Sequence, residues 1–162
     1  MAYEITKASK DDIDKLYEIN NIAHEWDKWT REKFEQVFEF DLSVLVAKHN
    51  EDIVGFVIYL VCLDEVRIIN ISVHPANRNQ GHAKRLIYSV CQNAKDSNWR
   101  YVLLDVRVSN FALNLYKKMG FRILTTRKEF YDTFVEDAYF MQLDIRDFDF
   151  NQYDNLCKSI PK

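Results

Sequence analysis

Asn70-Ile71-Ser72-Val73-His74-Pro75-Ala76-Asn77-Arg78-Asn79-Gln80-Gly81-His82-Ala83-Lys84-Arg85-Leu86-Ile87 reads as a strand, a polar turn and the opening of a helix. Ile68, Ile69, Ile71 and Val73 form the β-branched run of a buried strand over Arg67 to Val73. Pro75 stops it, since proline cannot donate to a sheet ladder. From Ala83 onward Leu86, Ile87, Val90, Cys91 and Ala94 recur at helical spacing. The turn between is rich in donors and carries one of the chain's three glycines. A helix N-terminus offers unpaired N–H groups and partial positive charge, so this junction could hold a phosphate. Gly81 and Ala83 would let a pyrophosphate come close to the backbone.

Upstream, Tyr3 to Lys7 alternates like a short strand, and Ser9 with Asp12 forms a capping-box pattern ahead of a helix. Ile13, Leu16, Tyr17, Ile19 and Ile22 are expected on its buried face. Thr30 caps a second helix running to about Phe40. In the loop between, Trp26 and Trp29 are either packing residues or the wall of an acceptor site. Strands are expected over Ser43–His49 and Ile53–Leu63, the latter apolar enough to be central. Asp64-Glu65 is a hairpin tip. After the helix from Ala83, Tyr101–Val106 completes a strand–helix–strand crossover that should be parallel and right-handed. Ala112, Leu115, Tyr116 and Met119 mark a short helix closed by Gly120. Phe121–Glu129 and Ala138–Asp144 read as a final antiparallel pair. The fold class is therefore α/β on a mixed sheet, as one domain over residues 1–145. Residues 146–162 form a tail without clear period.

The 162 residues, 48% hydrophobic and 29% charged, suit one soluble domain. A net charge of −3 argues against a nucleic-acid-binding face. With no signal peptide or long apolar run, no membrane partner and a cytoplasmic location are expected. Cys62, Cys91 and Cys157 share no metal or redox spacing and the four histidines are scattered, so no metal site is expected. The sequence leaves the oligomeric state open.

Arg78-x-x-Gly81-x-Ala83, after a strand and opening a helix, resembles the acetyl-CoA pyrophosphate loop of the GNAT N-acetyltransferases. Leu104-Asp105-Val106-Arg107-Val108-Ser109-Asn110-Phe111-Ala112-Leu113-Asn114-Leu115-Tyr116-Lys117-Lys118-Met119-Gly120-Phe121 is similar to the L-E-V-R-x-S-N-x-x-A-x-x-L-Y-x-x-x-G-F signature of the ribosomal-protein-alanine branch of that family. Leu63-Asp64-Glu65, Asn70-Ile71-Ser72-Val73 and Glu136-Asp137-Ala138 match the same branch, so the likeness spans about Trp26 to Leu143. It implies a GNAT fold: a central, mostly antiparallel sheet with one splayed parallel pair and about four helices. It also implies acetyl-CoA as co-substrate and a ribosomal protein N-terminus as acceptor. The pantetheine arm would pair with Ile71, Ser72 and Val73, and the pyrophosphate would lie on Arg78, Asn79, Gln80, Gly81, His82, Ala83 and Lys84. Asn110 falls on the family asparagine if counted from Asp105, Ser109 if counted from Tyr116; we take Asn110. The acceptor side would include Trp29, Asp64, Glu65 and Tyr131.

Amide formation from a thioester needs a neutral amine, a polarised carbonyl and a proton for the departing thiolate. An α-amino group, of reference pKa about 7.7–8, needs little help to deprotonate. The family's glutamate is Asp105 here, one methylene shorter. A carboxylate in an apolar strand must be paired or perturbed, so Asp105 is either a base or a structural residue tied to Arg107 or a backbone N–H. Tyr116 is either the acid that protonates the sulfur or a core tyrosine. Other amine acceptors, and a non-catalytic acyl-CoA-binding module, are the rival functions.

Overall fold

The computed structural model describes residues 3–24, 28–128 and 136–158. Among the described residues seven strands, β1 (Tyr3–Lys7), β2 (Ser43–His49), β3 (Asp52–Cys62), β4 (Glu65–Val73), β5 (Tyr101–Arg107), β6 (Arg122–Arg127) and β7 (Ala138–Asp144), stand in the order β1-β2-β3-β4-β5-β7-β6. The helices are α1 (Ile13–Ala23), α2 (Arg31–Glu39), α3 (His82–Asp96), α4 (Leu113–Met119) and α5 (Phe150–Lys158). No described helix is long and apolar enough to cross a membrane. The chain forms two compact units. The first takes in the chain up to Leu60, Ile69–Val90 and the chain from Phe150; the second holds Val61–Ile68 and Cys91–Asp149.

In the first unit β1 pairs β2, and β2 pairs β3, both antiparallel. Asn50 and Glu51 join β2 to β3 with φ of 52° and 75°, the positive values that a tight hairpin turn needs. The Thr30 hydroxyl accepts from the Lys33 N–H at 3.2 Å, capping α2 as its position predicts. Phe34 and Val37 of α2 then close over Ile13, Leu16 and Ile19 of α1 against Phe56 and Ile58. Burying each such side chain contributes about 1.5–3 kcal/mol.

Ile22 corrects the expected apolar stripe of α1, because it is exposed while Asn20 is fully buried. Asn20 lies four residues after Leu16 and meets a polar partner in the strand beneath, which turns the stripe towards it. The 146–162 segment, unread from sequence, holds α5, whose Tyr153 is buried against Tyr88 of α3.

In the second unit β4 and β5 run parallel through Glu65–Arg67 against Tyr101–Leu103, and β7 lies antiparallel between β5 and β6. Past Ile68, β4 passes into the first unit. Gly120 ends α4 with φ 106°, and the Phe121 N–H reaches back to the Tyr116 carbonyl at 3.0 Å. The boundaries differ slightly from expectation: β4 starts at Glu65 and α3 at His82.

Candidate active site

The predicted phosphate loop is in the first unit. Gly55 on β3 allows β4 to approach: a Cβ there would sit 2.9 Å from the Ser72 carbonyl. After β4, a single tight turn at Pro75–Asn77 leads to Asn79 and Gly81, both at positive φ (62° and 83°). The first bond of α3 runs from the Arg85 N–H to the Gly81 carbonyl at 3.0 Å. The N–H groups of His82, Ala83 and Lys84 therefore precede the helical ladder and are the donors an anion at this terminus would use.

Beneath the loop is a residue that sequence reading missed. Arg85 is buried, stacks over the Tyr3 ring at 4.4 Å and donates from Nη1 to the Gln80 carbonyl at 2.8 Å. A Cβ on Gly81 would come within 3.2 Å of that Nη1, so the guanidinium forms the floor of the turn. The available signal was a cation in the first turn of a helix, where the macrodipole disfavours it. His82 is 2% exposed and rests against Tyr3 and His49. Burial first, then the charge of Arg85 and the neighbouring His49 ring, lower its pKa from 6.5 to about 4, so its ring is neutral at pH 7. In an anion site at this terminus its contribution would be its backbone N–H. Gln80 faces the His82 ring at 3.3 Å, and Arg78 donates to the Ala23 carbonyl at the end of α1.

The segment expected to pair with the pantetheine arm is tied to α1 by a buried polar chain. The His24 ring lies 2.6 Å from the Ser72 hydroxyl, which bonds Asn70 at 2.9 Å, and the Asn70 amide donates to Asn20 at 2.9 Å. Each link satisfies a polar group that would otherwise be stranded in the core. Ile71 and Val73 lie beside Ser72 on the opposite face of the strand. Trp29 belongs to the core, packed on Phe34 at 5.2 Å with Lys33 over its ring. That is the packing alternative. Trp26 and Tyr131 lie outside the described residues.

The predicted catalytic pair is in the second unit. Tyr116 is 5% exposed, its ring tilted against Phe121 at 5.7 Å. Asp105 is bound to neither Arg107 nor a backbone N–H. Its Oδ2 accepts from Arg67 Nη2 at 2.5 Å and its Oδ1 pairs with Arg127 Nε at 2.8 Å. Both guanidinium groups lie over the Phe140 ring, at 5.6 and 4.5 Å. Nothing in the sequence ties these strands' side chains together; only the sheet register does. Asn110 uses its side-chain oxygen locally, accepting from the Ala112 N–H at 2.8 Å ahead of α4. Glu136 accepts from the Ser109 N–H at 2.9 Å, and hydrogen bonding to Ser109, first its side chain and then that N–H, holds its carboxyl below the usual range. Asp64 and Glu65 are exposed at the opposite end of the β4/β5 pairing, with Glu65 beside Tyr101, four residues before Asp105 on β5. That separation is about 13 Å along the strand.

The sequence model of the acetyltransferase (GNAT) family matches residues 12–121. The chain belongs to that family. GNAT enzymes take acetyl from acetyl-CoA, and this chain is an acetyl-CoA-dependent N-acetyltransferase. It is 32% identical over 122 residues to the ribosomal protein bS18-alanine N-acetyltransferase of Haemophilus influenzae, covering 74% of this chain and 82% of that one. The Escherichia coli enzyme of that name is 30% identical over 149 residues, with coverage of 87% and 97%. A crystal structure of the ribosomal-protein-S18-alanine N-acetyltransferase from Escherichia coli superposes with a TM-score of 0.82 at 28% identity, over 88% of this GNAT chain and 94% of that one.

Proposed function

We propose that this protein acetylates the α-amino group of a protein N-terminus, starting with alanine and belonging to a ribosomal protein, by direct transfer from acetyl-CoA. The observation that carries this reading is the likeness to bS18-alanine N-acetyltransferases over 82% and 97% of their lengths. The pyrophosphate takes the N–H groups at the start of α3, where Gly81 leaves room and Arg85 supports the turn. The arm pairs with Ile71–Val73. The acceptor nitrogen attacks the acetyl carbonyl, the C–S bond breaks, the Tyr116 hydroxyl gives its proton to the sulfur, and the phenolate regains through solvent the proton that the new amide nitrogen sheds. That donation strengthens as thiolate charge develops, so it lowers the barrier more than it aids binding.

Asp105 enters as a positioning group, paired with both Arg67 and Arg127. The amine, of reference pKa about 7.7–8, loses its proton to solvent. Cys91 supplies no nucleophile: it is buried, and burial pushes its thiol far up.

The test is direct. Purified protein, acetyl-CoA and an alanine-starting ribosomal-protein peptide are incubated and the peptide fragmented by mass spectrometry. An acetyl group on the first nitrogen is expected. Acetylation only on lysine side chains or small amines would refute the acceptor assignment.

A further inference from the structure

The two coenzyme segments of the first unit are fastened to one turn of α1. From the phosphate loop, Arg78 donates through Nη2 to the Ala23 carbonyl at 3.1 Å. From β4, the Ser72 hydroxyl lies 2.6 Å from Nε2 of His24, the next residue along. The bonds beneath close a ring. The Ser72 hydroxyl donates to the Asn70 side chain at 2.9 Å, the Asn70 amide donates to the Asn20 side chain at 2.9 Å, and the His24 backbone N–H returns to the Asn20 carbonyl at 3.0 Å. Asn20, Asn70 and Ser72 are all buried.

Counting protons fixes the direction of the ring. A hydroxyl has one proton, and Ser72 gives it to Asn70, whose own amide nitrogen is turned to Asn20. The proton of the bond between His24 and Ser72 therefore sits on Nε2, and the ring donates.

The strand has a use for such a brace. The parallel ladder between β4 and β5 ends at Arg67. Beyond it, β4 keeps β3 beside it, with the His74 N–H on the Val54 carbonyl at 2.8 Å, and Asn70 and Ser72 reach α1 from one face. Main-chain hydrogen bonds from a strand to a ligand weaken steeply once distance and angle drift. A side chain that holds Ser72 in place thus governs how well its neighbours Ile71 and Val73 can meet an extended ligand.

We propose that His24 is a positioning residue for the coenzyme: by donating to Ser72 from a turn that Arg78 also holds, it keeps β4 where the pantetheine arm can pair with it. This deepens, and rests on, the reading above that the arm lies along Ile71–Val73.

The experiment is titration calorimetry on the full chain with two probes. One is acetyl-CoA; the other is the coenzyme's nucleotide half, an adenosine diphosphate bearing the ribose phosphate but no arm. In the wild type acetyl-CoA should bind more tightly, and the ratio of the two affinities reads the arm's contribution. His24→Ala and Ser72→Ala should each weaken acetyl-CoA binding about tenfold and leave the nucleotide half within about twofold. His24→Gln should keep most of the affinity, because its amide nitrogen can still donate to Ser72. Ser72→Ala removes a single oxygen, so it decides the matter if His24→Ala folds poorly. Nitrogen NMR of the wild type should find a proton on His24 Nε2; a bare Nε2 would overturn the donor role. An unchanged ratio in the alanine variants, or an equal loss for both probes, would overturn this inference alone. A wild type that binds acetyl-CoA no better than its nucleotide half would overturn it together with the placement of the arm.

Discussion

Replacing Gly81 by valine tests whether the turn before α3 holds the coenzyme phosphates. Gly81 has φ 83°, where an L-residue costs about 1–2 kcal/mol, and β-branching adds to that. Its new Cβ would sit 3.2 Å from Arg85 Nη1. Arg85 cannot simply swing aside, because the same Nη1 is bonded to the Gln80 carbonyl and the guanidinium lies on Tyr3. The turn must shift instead, at a total cost of about 1–3 kcal/mol, which for a chain of this size lowers the melting temperature by about 2–4 °C per kcal/mol. A shifted turn misaims the N–H groups of His82 and Ala83, so acetyl-CoA affinity should drop at least tenfold, about 1.4 kcal/mol. Thermal unfolding and titration calorimetry with acetyl-CoA read the two effects separately. Gly81→Ala, with a smaller side chain, should lie between the variants. A folded Gly81→Val protein that binds acetyl-CoA like the wild type would refute the loop's role.

Tyr116→Phe keeps the packing on Phe121 and removes one hydroxyl. Turnover on an alanine-starting peptide should drop roughly ten- to a thousandfold, with acetyl-CoA affinity held and melting within about two degrees; retained activity would mean another acid. Asp105→Asn should lower kcat/KM about tenfold by a factor that holds across pH, since it removes the partner shared by Arg67 and Arg127. A loss that fades as the amine deprotonates near pH 8 would instead make Asp105 the base. For His82, the folded pKa of about 4 lies below the unfolded 6.5, so the unfolded chain takes the proton first. Its contribution is whole above about pH 6.5 and is lost as pH falls towards 4, by up to about 3 kcal/mol. Urea unfolding of wild type and His82→Gln at pH 7 and 4.5 should show their difference narrowing; parallel losses would place the neutral histidine elsewhere.

Much of the fold was legible because its signals are local. Buried Leu86, Ile87, Val90, Cys91 and Ala94 repeat at the pitch of α3 itself, Thr30 bonds an N–H three residues away, and Gly120 closes its own helix. The loop Arg78–Lys84 and the Asp105–Tyr116 segment were legible as motifs for the same reason: their spacing is written along one stretch of chain. What tertiary structure alone decided involves residues that meet across strands. Asp105 could be seen to need a partner, since a carboxylate in an apolar strand is costly alone, but only the alignment of β4, β5 and β6 brings it Arg67 and Arg127 rather than Arg107. Asn20 displaced Ile22 from the core of α1 because Asn70 lies beneath it, and a periodicity count weighs apolarity without knowing where a buried amide will find its bond. Residues 150–158 gained a helix's place only when Tyr88 offered Tyr153 a surface to cover.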